Sequence, residues 1–196
     1  MSSFIRRAGP ATLVMILAGS CGGPRVLPPD VKVNPSPKER YEIRLTLEEP
    51  PAYSRIEGNA DFAIEDKSCM PMQDRIAGTK PRSWFIQPFI FERKDSNTYI
   101  GYVYSDWILD EDYYDMGDCL WKMTSVQALI SIESEKQSAH IFGEDVVGGR
   151  STVNLCHRPI KGYAWDFCST PIDDRKIDEK DAQTYKVTLN SRKSPQ

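Results

Sequence analysis

Histidine is almost missing from this chain: His140 and His157 are the only two in 196 residues, so few groups could act as a base near neutral pH. No G-x-S-x-G, H-E-x-x-H, C-x-x-C or H-x-x-x-H spacing occurs. Nucleophilic hydrolysis and zinc chemistry therefore lack their linear signatures, and the chain reads as a non-enzyme. No apolar run approaches the roughly 20 residues that cross a bilayer as a helix. Basic residues are also short, 25 against 28 acidic. A nucleic-acid partner, which needs a basic face, is disfavoured. Neither an internal repeat nor a second linker is evident.

The N-terminus, by contrast, is informative. Arg6 and Arg7 precede the uncharged stretch 11–19, which closes in Leu17-Ala18-Gly19-Ser20 before Cys21. This is the layout of a signal peptide over 1–20. A cysteine directly after Ala-Gly-Ser resembles the lipobox of bacterial lipoproteins, with Ala18 where leucine is preferred. The resemblance implies a diacylglycerol and palmitate anchor on Cys21 and, with Gly22 rather than aspartate next, the outer membrane, the domain facing the periplasm. Arg6 and Arg7 leave with the signal, so 23 basic residues face 28 acidic ones and the net charge becomes −5.

Export places the remaining cysteines in an oxidising compartment, where an even number is expected to pair. Cys156 and Cys168 flank a short stretch that can fold back on itself, which favours that pair and leaves Cys69 with Cys119. The segment 21–40 contains Pro24, Pro28, Pro29, Pro35 and Pro37 and reads as an extended tether. Residues 41–190 then form one domain, with a tail over 191–196.

Within 41–190 the periodicity is mostly two. Tyr41, Ile43, Leu45 and Leu47 alternate with polar residues, as do Ala60, Phe62 and Ile64. Pro88 inside "WFIQPFIFERK" argues for an edge strand or a bulge. "KDSN" suits a hairpin turn. Residues 123–130 have the composition of a helix, yet the alternation that follows favours a strand. The expected fold is all-β: an antiparallel β-sandwich of about seven strands with long loops, braced by disulfides. The charged segment from Ser169 onward is a loop or a short helix.

The densest chemistry lies in "SDWILDEDYYDMGDCLW", residues 105–121. Counted from Asp110, an EF-hand would need Gly at the sixth position and Glu at the twelfth, where Asp115 and Trp121 stand, so that calcium geometry is excluded. A looser calcium site is kept as a lesser alternative, and no cofactor or metal is expected. A glycosidase pair is also a lesser alternative, since its two carboxyl groups usually come from different elements. Acidic side chains mixed with tyrosine suit a protein-docking patch, in which rings supply contact area and charge steers a basic partner. Asp110, Glu111, Asp112, Tyr113, Tyr114 and Asp115 are the candidates. In the competing reading the rings are core residues and the acids merely solvated.

The run Asp110-Glu111-Asp112-Tyr113-Tyr114 before Cys119 and Trp121, preceded by Cys-Met-Pro and "TYIGYVYSD", resembles small proteobacterial cell-envelope lipoproteins over Tyr41 to Ile132. That resemblance implies a periplasmic immunity protein that neutralises a basic-faced antibacterial effector by contact. An assembly lipoprotein of an envelope complex is the alternative.

Overall fold

The computed structural model describes residues 30–73, 78–133, 135–158, 168, 169 and 184–195. The expected signal peptide, the lipidation expected at Cys21 and the charged segment after Ser169 lie outside them.

The chain forms an all-β, antiparallel sandwich, with nine strands among the described residues. They are β1 (Arg40–Glu48), β2 (Arg55–Ile64), β3 (Trp84–Phe89), β4 (Glu92–Arg93), β5 (Thr98–Tyr104), β6 (Trp121–Ile132), β7 (Glu135–Phe142), β8 (Ser151–His157) and β9 (Thr184–Lys193). A five-stranded sheet runs β4-β5-β1-β9-β8, and a four-stranded sheet β3-β2-β6-β7. Two more strands than expected arise because β8 was not read from its sequence and one predicted strand is split into β3 and β4. Among the described residues one α-helix, α1 (Gly143–Val147), connects β7 to β8.

The alternation that defines β1 buries Tyr41, Ile43, Leu45 and Leu47 against Phe62, Val126, Ile130, Val187 and Leu189. Each fully buried aliphatic side chain contributes about 1.5–3 kcal/mol by leaving water. In β6 the inward set is Trp121 and Met123, then Val126, Ala128, Ile130 and Ile132. The step of three comes from a bulge, where the β2–β6 register shifts between Asp61 and Phe62. Pairing with β2 on one side and β7 on the other overrides the helical composition of this stretch.

Pro88 is tolerated because β3 is an edge strand. Ile64 N–H bonds Ser83 C=O, so by antiparallel alternation the backbone of residue 88 faces away from β2 and its missing N–H costs no ladder bond. Past Phe89 the chain bends and rejoins the other sheet as β4. The Phe89 ring fills the corner between Gly58 of β2 and Gly101 of β5, where a methyl on either glycine would stand 2.5 Å from the ring.

The other seam, between β7 and β8, is closed by side chains. Asn154 accepts from His140 N–H and donates to His140 C=O, both at 3.0 Å, in place of a strand neighbour. Gln137 donates to His157 C=O at 2.7 Å and accepts from the buried Tyr185 hydroxyl at 2.7 Å. Buried amides are affordable here because their hydrogen bonds are made.

Both disulfides are formed in the expected pairing, Cys69–Cys119 and Cys156–Cys168. The folded body extends beyond the boundaries read from sequence. β9 continues to Lys193, opposite Tyr41. Residues 31–39, expected as free tether, lie along the acidic segment as a strap: Val33 pairs with Ile108, Asn34 N–H bonds Trp107 C=O, and Leu109 N–H bonds Lys32 C=O.

Candidate functional site

Residues 105–120 leave β5 in one sheet and reach β6 in the other, crossing one end of the sandwich. That loop end also holds the strap, the 3-10 turn Lys67–Cys69, α1 and the C-terminus of β9. The opposite end carries the turns 49–54 and 94–97.

Six acids occupy the crossing, and four of them are engaged. The Asp106 carboxylate accepts the backbone N–H groups of Lys38 at 2.8 Å and Glu39 at 3.0 Å, fastening the strap. Its own C=O accepts from the Asn34 amide at 2.9 Å. Asp110 accepts Trp121 N–H at 2.7 Å, at the first residue of β6. Glu111 pairs with Lys32 at 2.5 Å across an exposed surface, while its backbone bridges Cys119. Asp112 turns back into its own loop and accepts from Met116 N–H at 2.8 Å and Tyr114 N–H at 3.4 Å. These backbone donors, Met116 foremost, hold its carboxyl below the usual range.

The tyrosines face inward. Tyr113 donates to Leu109 C=O at 2.8 Å and meets Trp121 edge to face, ring centroids 6.3 Å apart. Burial pushes both the Tyr113 and Tyr114 hydroxyls up. Tyr114 is packed against the core, its buried hydroxyl without a hydrogen-bond partner among the described residues. Trp107 is likewise half-buried, 5.3 Å from the Tyr104 ring.

What remains outward is a tip. Asp115 sits at φ 55° and Gly117 at φ 97°, so the chain reverses through two left-handed residues, which glycine and aspartate tolerate. The turn projects Asp115 and Asp118, with Met116 and Leu120 about half exposed at 50% and 52%. Below the turn, Cys119 is fixed through its disulfide to the buried Cys69.

Of the six sequence candidates, the structure therefore gathers Asp110, Asp112, Tyr113 and Tyr114 into the support of the crossing and Glu111 into its strap contact. Among the described residues only Asp115 of the six has no side-chain partner. Beside Asp115 the turn brings up Asp118, one of the acids of the segment, and Met116 and Leu120, which the sequence reading did not single out; the signal was the turn Asp115-Met116-Gly117-Asp118 set directly before a cysteine.

Among the described residues, no group of three or more His, Cys, Asp or Glu side chains could hold a metal ion. His140 packs on Phe142 in β7, and burial lowers its pKa. A cleft of about 210 Å³ beside Glu48, Glu49 and Tyr185 lies at the far end from the acidic crossing. Comparison of the chain with family models, curated proteins and solved structures finds no match.

Proposed function

We propose that this chain is a lipid-anchored binding protein of the bacterial outer membrane that faces the periplasm and acts by protein–protein contact, most concretely as an immunity protein occluding a basic-faced antibacterial effector. The observation that carries the reading is the tip at 115–120. It sets two carboxylates around two apolar side chains on a base held by a disulfide, five backbone N–H bonds to carboxylates and a wedged tyrosine. A surface already rigid before contact loses little entropy on binding, apolar groups supply affinity, and the charge speeds encounter with a basic partner.

Export is supported by the two buried disulfides, which suit an oxidising compartment, and by the lipobox-like residues before Cys21. The anchor is diacylglycerol and palmitate; no metal or other cofactor enters the reading.

The test uses the mature chain anchored through Cys21 as bait, cross-linked in intact envelopes. A one-to-one complex with a basic-faced protein is expected. Asp115→Asn with Asp118→Asn slows its association, and Met116→Ser with Leu120→Ser speeds its dissociation. Unchanged rates in both double variants would remove the tip from the interface. A multi-component membrane complex in place of a single partner would support the assembly lipoprotein instead.

A further inference from the structure

We infer that the loop end of the sandwich is held facing a zwitterionic lipid surface, with the strap 31–39 setting its distance; this rests on the anchored reading above. The first observation is covalent. The strap's outer end at Asp30 and Lys32 lies beside Glu111, on the loop end. Nine residue steps separate Cys21 from Asp30, so the chain between them spans at most about 30 Å however it is arranged. The strap adds nothing to that reach while Val33 is paired with Ile108 and the Asp106 carboxylate holds Lys38 and Glu39.

The second observation is the distribution of exposed apolar groups. Besides the tip, Val33, Met72, Phe142 and Val147 are exposed on the loop end. Among the described residues the turns 49–54 and 94–97 at the other end expose no large apolar side chain, while Ile90, the most exposed at 81%, lies between β3 and β4. An end studded with apolar side chains and tied to an anchor by a short chain suits the lipid interface.

Charge selects the lipid. Glu111, Glu65, Glu39 and Asp145 on this end are paired with Lys32, Lys122, Lys193 and Arg150. Asp115 and Asp118 keep the tip acidic, which disfavours an anionic bilayer but not a zwitterionic one. A partner bound by the tip is then met close to the lipid rather than at the outer end of the domain.

The experiment couples the oxidised mature chain through the Cys21 thiol to a maleimide lipid in phosphatidylcholine vesicles. A fluorophore is placed by a noncanonical residue at position 116 or at position 96, and energy transfer to acceptor lipids reports its height. Position 116 is expected nearer the surface by about 30 Å, the length of a nine-residue strand such as β1. Releasing the strap with Asn34→Ala and Asp106→Ala is expected to raise position 116. Equal heights, or position 96 nearer, overturn the orientation; an unchanged height on strap release overturns the strap's role. Chemical coupling makes both results independent of lipidation in the cell, which the mass of the N-terminal peptide from membranes tests separately.

Discussion

At the base of the crossing, Asp106, Asp110 and Asp112 each accept backbone N–H groups. At its tip, a few residues on, Asp115 and Asp118 accept none among the described residues. The same residue type thus does two kinds of work within one segment. A carboxylate with backbone donors around it is a loop-forming device whose removal leaves those donors without an acceptor. One that projects from a completed turn is available to something else. What separates them is local chain direction: the strap brings Lys38 and Glu39 to Asp106, and the left-handed turn at Asp115 and Gly117 sends the tip outward.

The largest effect that sharpens this comparison is loss of the clamp. Replacing Cys69 and Cys119 with alanine opens a separation of 50 residues, and the loop-closure estimate for its loss is about 4 kcal/mol. The Cys156–Cys168 separation is 12, for which the same estimate gives about 3 kcal/mol. Denaturant midpoints of the two variants check the order; the reverse order would mean that the crossing does not lean on its disulfide.

Tyr113→Phe removes the bond to Leu109 C=O while keeping the ring on Trp121, and should cost about 1 kcal/mol in urea unfolding. An unchanged midpoint would make the wedge purely apolar.

Acid separates base from tip without mutation. Because the Asp112 carboxyl titrates lower in the folded protein than its ordinary value of 3.8, its stabilisation is fully present above that value and is lost as pH falls through the lower, folded one. The amide resonances of Met116 and Tyr114 should therefore shift below about pH 4, with Asp112→Asn abolishing the transition. A transition that persists in the variant belongs to another carboxyl group.

The smallest stability effect is expected at the tip itself. Asp115→Asn with Asp118→Asn, which keeps a residue tolerant of positive φ at 115, should change unfolding free energy by less than about 0.5 kcal/mol.

Much of the sandwich is readable from alternation, because a strand with one face on the core must repeat every two residues; β1 and the end of β9 are plain cases. Pro88 marks its edge strand for a reason confined to one residue. The stretch 123–130 is harder, since a bulge changes which residues face inward and local propensity says nothing about that. β8 and the side-chain seam were hidden because Asn154 and Gln137 are polar groups buried on the inner face, and their partners lie on another sheet. The strap was read as tether from its prolines, yet its docking depends on a carboxylate 68 residues away from Lys38. The site was half legible for the same reason. Composition located the acidic crossing, whereas the division into engaged and free carboxylates required knowing what lies beside each one.

The central claim is that the base carboxylates build the crossing and the tip carboxylates do not. Urea unfolding of Asp106→Ala with Asp110→Ala, set beside Asp115→Asn with Asp118→Asn, tests it in one measurement. The account predicts a loss of about 2–4 kcal/mol for the first pair, from charge-assisted bonds to backbone N–H groups, and almost none for the second. Equal midpoints for the two pairs, or a greater loss at the tip, would contradict it.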